Sequence, residues 1–372
     1  MTAMGIIFAN LYDSTLGDLT NKRTLASLPF GGRYRQIDFA LSNMANSGIR
    51  RIGIMSRYNY QSLINHIGSG EEWDLELQES GLQFVTPYSM SSSSSYRGKI
   101  EALYEAMDHL EYGDADEYVV LADAGVLYNL DLNVVLENHI ASGKDITIVT
   151  KAGVANGQKQ FDLAIRLDDK GEIDDMAVDY AAGPEYLASM NLFVISKALL
   201  LHYVRELVAR SLYRFERDFI LRSYQKGELS VNVAQFDGLV MYNESTAEYF
   251  QNNLALVDSE VRDQLFRRKH PIFTKVRDRV PSYYGENCEI DNCIVADGCM
   301  LEGAAKHSVL FRQVHIGENS TVEDSVIMNE TVVGENCEIK CAILDKDVVV
   351  RPGSKLIGTP SNPIIIKRGD IV

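Results

Sequence analysis

The chain has 372 residues, 46% of them hydrophobic and 24% charged, which is too long for one ordinary domain and apolar enough for substantial buried cores. Lys plus Arg number 36 against 52 Asp plus Glu, so the net charge of −16 repels nucleic-acid phosphates and anionic lipid; a small phosphorylated ligand gripped by a few local cations stays open. No run of about 18 apolar residues occurs and the start MTAMGIIFANLYD has no basic leader, so neither a membrane span nor an export signal is expected, and the expected compartment is the cytoplasm.

The first 255 or so residues alternate strand-like and helix-like runs. MGIIFA, RRIGIMS, YVVLAD and DITIVTKA read as buried strands, and QIDFALSNMANSGI, NYQSLINHIG and KIEALYEAMDHLEY between them read as helices. This alternation predicts an α/β domain with a mostly parallel, Rossmann-like sheet over residues 1–258, whose ligands bind at the carboxyl ends of the strands. A basic segment, 259–283, follows, with Arg262, Arg267, Arg268, Lys269, Lys275, Arg277 and Arg279. It reads either as a solvated tether or as one wall of a pocket for a phosphorylated effector, where guanidinium forks grip phosphate oxygens.

Residues 284–372 carry a different period. Apolar residues recur at Ile316, Val322, Ile327, Val333, Ile339, Leu344, Val350 and Leu356, so that every third one is 17 residues on. A 17-residue coil with three inward positions predicts a three-sided parallel β-solenoid of four or five coils, whereas a sandwich would alternate with period two. Counting back by 17 puts Leu310, Ala305, Cys299, Cys293 and Cys288 in the same stack, and Gly298, Gly317, Gly334 and Gly353 at corners that favour positive φ. The five cysteines, with Cys337 and Cys341, are odd in number and contain no CxxC, so buried free thiols are expected and not disulfides or a zinc site.

The segment 28–54, LPFGGRYRQIDFALSNMANSGIRRIGI, resembles the core signature of the sugar-phosphate nucleotidyltransferases, and more narrowly of the ADP-glucose pyrophosphorylases. The likeness continues through HIGSGEEWDL, YRGKIEALY, LASMNLFVIS, RDFI and the Tyr283–Tyr284 pair, and so covers essentially the whole chain. It implies a nucleotidyltransferase domain followed by a left-handed parallel β-helix used in tetramer contacts, and a role in forming ADP-glucose from ATP and glucose 1-phosphate.

Adenylyl transfer brings one phosphate against another that already carries several negative charges, so it needs a phosphate cradle, cations and Mg²⁺ held by carboxylates. Against the family pattern each of these is missing. The glycine-rich loop after the first strand becomes Asn10-Leu11-Tyr12-Asp13-Ser14-Thr15-Leu16, with Thr15 at its Arg; Leu25 stands at a Lys, with Lys22 and Arg23 nearby. Gly125 stands at the first metal-binding Asp, with Asp123 two residues earlier, Tyr242 at the second, and Asp179 reverses the charge of a sugar-phosphate Lys. Ala9, Asn10 and Gly98 are remnants of the nucleotide region, Ser189, Met190 and Asp218 of the sugar-phosphate region, with Asn191 in place of a Gly. Arg33 and Arg35, together with Arg267, Arg268 and Lys269, are the candidate grip for an effector anion, unless they pair with local carboxylates such as Asp38. Trp73 is expected to pack at the sheet edge rather than stack on a base, and the serine run 91–95 to be a mobile loop or a vestigial or active lid.

These losses lead to a non-catalytic or weakly catalytic regulatory subunit that holds no cofactor of its own and assembles with a catalytic pyrophosphorylase chain, in a heterotetramer, or with itself. The alternatives are a slow adenylyltransferase using Asp123, Lys22 and Mg²⁺, or a nucleotide or sugar-phosphate sensor.

Overall fold

The computed structural model describes residues 2–9, 13–76, 81–86, 96–112 and 116–372. Asn10, Leu11 and Tyr12 of the former glycine loop and the serine run 91–95 lie outside the described residues.

The N-terminal sheet has nine strands: β1 (Ala3–Phe8), β2 (Ile52–Met55), β3 (Leu82–Val85), β4 (Tyr118–Asp123), β5 (Ile146–Lys151), β6 (Ala164–Leu167), β7 (Ile173–Ala177), β8 (Leu187–Ser196) and β9 (Val231–Gln235). Their order is β7-β6-β8-β4-β1-β2-β3, with β5 between β8 and β9. Seven of the nine run in one direction; β8 runs against β4, β5 and β6, and β7 against β6. The central strands β1 and β4 are almost wholly apolar and bury both faces, as strands covered by helices on each side must. Two buried clusters flank them, one containing Ile7, Ile54, Phe39 and Trp73 and the other Ile6, Leu121, Phe193 and Phe219. Trp73 is buried in the first of these clusters and donates its indole N–H to Ser42 Oγ at 3.1 Å. Phe8 and Asp123, paired in register, end β1 and β4 at the carboxyl edge where the candidate site lies.

The segment 259–283 is a strap pinned to the N-terminal domain up to Thr274, and its residues 276–281 are exposed. It opens as a helix, Ser259–Leu265, and then runs extended with Leu265, Ile272 and Thr274 buried. Asn129 donates to the Leu265 and His270 carbonyls, Asn46 to Pro271, and Phe273 N–H donates to Ser42 Oγ. These side chains satisfy backbone groups that a buried extended chain would otherwise leave bare.

The C-terminal region is a left-handed β-helix of three five-stranded parallel sheets. Its core contains the predicted stack, from Ile316 through Val350, with Leu356 packed against it. Left-handed φ falls on three residues per coil, each 17 apart: His307, Asp324 and Cys341; Gln313, Glu330 and Asp347; Asn319, Asn336 and Gly353. These are the corners. Gly317 and Gly334 are not in that conformation; a Cβ on Gly317 would lie 2.9 Å from the Gly334 carbonyl, so they are small because successive coils touch there.

Three expected cysteine positions are displaced, since Leu301 and not Cys299 lies opposite Ile316. Leu301 pairs with Ile316, Ala305 with Ile290 and Leu310 with Val295, each 15 residues apart, so one early coil is two residues short. Ile290 and Val295, and not Cys288 and Cys293, occupy the inward register; both cysteines are half-buried, whereas Cys299, Cys337 and Cys341 are buried, and all five are free thiols. One outer face of the solenoid shares a continuous core with the N-terminal domain, joining Val309, Phe311, Val326 and Ile343 to Phe30, Phe39 and Tyr249.

Candidate functional site

At the carboxyl edge of the sheet a cleft of about 900 Å³ is lined by Thr15, Lys159, Asp162, Asp179, Tyr242, Glu244 and Glu248 among others. A narrower arm of about 220 Å³, lined by Tyr96, Arg97, Gly98, Lys99, Glu216 and Arg217, continues from Asp162 and Asp179.

The charges in this cleft neutralise one another. Lys99, the first residue of the helix Lys99–Glu105, is 4% exposed and sets its ammonium 3.0 Å from Asp123 Oδ2 and 2.5 Å from Glu216 Oε1. Burial opposes its charge, but the two carboxylates outweigh burial and raise its pKa. Asp123 is pushed up to about 7 by burial, with Lys99 opposing and Glu216 adding to the rise. Lys159 is likewise bracketed by Glu244 at 3.0 Å and Glu248 at 2.6 Å, and its ammonium sits 4.3 Å from the centre of the Tyr242 ring. Burial raises Asp162 and Glu244 as well. At the rim Arg214 and Arg217 both bind Asp179 at 2.6 Å. Lys99 and Lys159 are thus each held by two carboxylates of the chain itself, so neither ammonium stands as an uncompensated cation.

Leu25 packs against Gly125, and Tyr242 is built into the wall of the cleft. Leu25 is buried and its Cδ2 lies 3.2 Å from where a Cβ on Gly125 would be. The Leu25 side chain thus crowds the space that a carboxylate at position 125 would need. Tyr242 is buried, stacks edge-on against Phe161 at 5.5 Å and donates its hydroxyl to the Ser189 carbonyl at 3.0 Å. The Thr15 hydroxyl, on the lining of the cleft, donates to the Glu244 carbonyl. Asn191 keeps the left-handed backbone (φ 51°) that a glycine would supply, and donates its side-chain amide to Asp162 at 2.9 Å.

The remnant residues are held by packing. Ala9 is buried and tied to Met55 and Ala26 by backbone hydrogen bonds. A Cβ on Gly98 would lie 2.1 Å from the Tyr213 carbonyl, so only glycine fits there. Met190 is fully buried and Ser189 nearly so. Asp218 accepts the backbone N–H groups of Tyr213 and Arg214 and anchors the turn that presents Glu216 to Lys99. The Mg²⁺ that the family reaction uses does not fit: Asp123 and Glu216 are engaged by Lys99, and Gly125 and Tyr242 offer no carboxylate. Among the described residues no group of three His, Cys, Asp or Glu side chains is placed to hold a metal ion.

A second pocket, about 190 Å³, lies between the two domains and is cationic. Arg35 and His66 from the N-terminal domain, Arg277 from the strap, and Arg312, Lys346 and Arg368 from the solenoid line it, with Glu330 and Asp347. Arg35 donates to the Ser62 carbonyl and hydroxyl; its backbone N–H, and not its guanidinium, reaches Asp38. Burial pushes Arg35 down to about 10, and burial with Arg35 and Arg23 nearby pushes Lys346 well below the usual lysine range. Arg23 does not turn toward the catalytic cleft; it forms a buried ion pair with Asp345 of the solenoid. Of the five predicted anion-gripping residues only Arg35 lines this pocket. Arg33 is exposed and close enough to Arg312 to depress it, while Arg267, Arg268 and Lys269 are exposed on the strap and line none of the pocket. Arg312 and Lys346 have no cation beside them in the chain and Arg368 has only Lys367, and only folding brings the three opposite Arg35.

Residues 4–234 match the nucleotidyl transferase family and residues 279–362 the GlmU-like C-terminal hexapeptide family. Over 86% of its length the chain is 30% identical to the glucose-1-phosphate adenylyltransferase of Pseudothermotoga lettingae, covering 76% of that protein. The chain belongs to the glucose-1-phosphate adenylyltransferase family. Within it, the glycogen biosynthesis protein GlgD of Bacillus subtilis is 31% identical over 98% of the chain and 96% of its own length, and GlgD of Geobacillus stearothermophilus is 33% identical over 99% and 96%. No helix among the described residues is long and apolar enough to cross a membrane.

Proposed function

We propose that this family member serves glycogen biosynthesis as a non-catalytic or weakly catalytic regulatory subunit of a heteromeric glucose-1-phosphate adenylyltransferase, and that it activates the catalytic chain by assembling with it. The observation that carries this reading is the Lys99–Asp123–Glu216 ion-pair cluster, buried at the carboxyl edge where the reaction would need free cations and metal-binding carboxylates. Its companion, Leu25 against Gly125, closes the space that a metal-binding carboxylate would need. The near full-length likeness to two proteins named GlgD supports the glycogen assignment. Regulation by assembly requires contacts that differ between two states of the catalytic chain, and a chain that keeps the family fold keeps the surfaces for such contacts.

The cationic interdomain pocket supports a second element of the proposal, a phosphorylated effector bound between Arg35 and the solenoid cations. A ligand there would bridge the two domains and set their relative position.

The test uses purified chain with ATP, Mg²⁺ and glucose 1-phosphate, scored for pyrophosphate, alone and mixed with a catalytic homologue at varied ratios. The expected result is background release alone and a raised rate in the mixture. Turnover by the chain alone at a rate comparable to the homologue would sink the proposal.

A further inference from the structure

The N-terminal sheet ends at β3, and among the described residues no strand lies beyond it. Its pairing with β2 is parallel, with Ile54 opposite Phe84. Ile52 donates its backbone N–H to the Gly81 carbonyl and Ser56 donates to Val85, so the odd-numbered residues of this segment turn their backbone groups toward β2. Leu82 and Phe84 therefore turn theirs away from the sheet. The Leu82 N–H is taken up by the Leu75 carbonyl at 3.1 Å, whereas the N–H and carbonyl of Phe84 have no partner among the described residues. The strand at the other end of the sheet, β7, carries Asp174, Asp175 and a register shift, which are ordinary guards against a further strand; Leu82–Val85 carries no charge.

A cavity of about 470 Å³ runs along this edge. Gln83, Phe84, Val85 and Thr86 all line it; a cavity lying over one face of the strand would meet only alternate residues, so this one borders the edge itself. Its far wall is Glu105 with the helix Met107–Glu111 and the Tyr112 that follows. That wall brings two carboxyl groups, Glu105 and Asp108, and no lysine or arginine lines the cavity. His109 is 8% exposed and donates from Nδ1 to Gln83 Oε1 at 2.7 Å; burial, with Arg51 nearby, pushes it down to about 4 and so keeps it neutral. The neighbouring guanidiniums are engaged elsewhere, Arg51 with Asp116 at 3.0 Å and Arg57 with Glu101 at 3.9 Å. An open strand edge thus lies beside an acidic groove. We propose that this groove is a docking site for an extended, basic segment of a partner protein, which adds to β3 as a further strand. The segment's backbone pairs with Phe84, and alternate side chains, lysine or arginine, reach Glu105 and Asp108. Backbone pairing supplies the affinity of such strand addition and the alternate side chains its selectivity. The net charge of −16 favours the approach of a basic segment.

None of these residues lines the cleft or the interdomain pocket, so the inference goes beyond the regulatory reading and does not rest on it. The probe is a labelled octapeptide of alternating lysine and valine, titrated with the full chain and read by fluorescence anisotropy. It should bind saturably, and more weakly as salt rises. Amide exchange at Phe84, followed by NMR or mass spectrometry, should slow about tenfold or more when the peptide is bound. The same peptide with glutamate for lysine, or with every backbone nitrogen methylated, should not bind. Asp108→Lys, at an exposed position, should weaken binding about tenfold with an unchanged unfolding temperature. Asp174→Lys, on the opposite edge strand, should leave binding as it is. Spermine stands in for a free polycation and should compete poorly. Peptide binding that leaves Phe84 exchange unchanged, survives backbone methylation or is matched by spermine is electrostatic contact alone and overturns the proposal, as does the lack of saturable binding. A chain that binds the peptide and fails to activate a catalytic homologue would end the regulatory reading and leave this one standing.

Discussion

The ammonium of Lys99 lies 3.0 Å from the carboxylate of Asp123, and both side chains are buried at the carboxyl edge of the sheet. With Glu216 on its other side, the lysine supplies from within the chain the positive charge that this corner of the fold needs. Lys99→Met should leave two carboxylates buried without their partner and destabilise the protein by about 3–5 kcal/mol, read by urea unfolding. Adding Asp123→Asn and Glu216→Gln should recover much of that loss. A single K99M variant as stable as the wild type would mean that the cluster is neutral in the native protein.

The contact between Leu25 and Gly125 makes reversion a two-residue matter. Gly125→Asp alone drives a carboxylate toward Leu25, with the added Cβ already 3.2 Å from its Cδ2. It should cost about 1–3 kcal/mol by overpacking and give no pyrophosphate release. Leu25→Lys with Gly125→Asp removes the collision and pairs the new charges, so the double variant should be more stable than G125D. Turnover by G125D alone would contradict this account.

Asp123 also sets a pH dependence. Its carboxyl holds a proton up to about 7 in the folded chain against an ordinary value of 3.8, so between these two values folding retains a proton that the unfolded chain releases. Raising the pH through that window therefore removes stability, by at most about 4 kcal/mol, and the contribution is flat above it. The unfolding free energy of the wild type minus that of Asp123→Asn isolates the effect from the histidines. That difference should fall from about pH 4 to 7 and then level off; a flat difference would refute it.

The interdomain pocket predicts stabilisation by anions. Inorganic phosphate or pyrophosphate should raise the unfolding temperature in a saturable way, because a ligand that bridges Arg35 and Lys346 binds only the folded chain. Arg35→Gln and Arg312→Gln should remove the response. Arg268→Gln, on the exposed part of the strap, should not. Equal loss in all three variants would point to general charge screening instead.

Much of the fold was legible because it rests on periodicity. The apolar runs of β1 and β4 and the 17-residue spacing from Ile316 to Val350 are local statements about burial, and they hold wherever the chain is placed. The cysteine register failed at Cys288, Cys293 and Cys299 because one coil is two residues short, and nothing local announces a shortened coil. The strap left two readings open for a related reason: its charges are visible in the chain, but Asn46 and Asn129, which satisfy its carbonyls, are far away in sequence.

The sequence by itself determined what is absent from this protein. A missing glycine loop, a Leu at position 25 and a Gly at 125 can be counted without coordinates, since an absent functional group has no geometry to resolve. What fills the gaps only the tertiary structure decided: Lys99 between Asp123 and Glu216, Arg23 drawn to Asp345, and Arg35 set opposite Lys346. These pairings join residues up to 322 positions apart, and Coulomb interaction depends on distance in space, which the linear order of the chain does not contain.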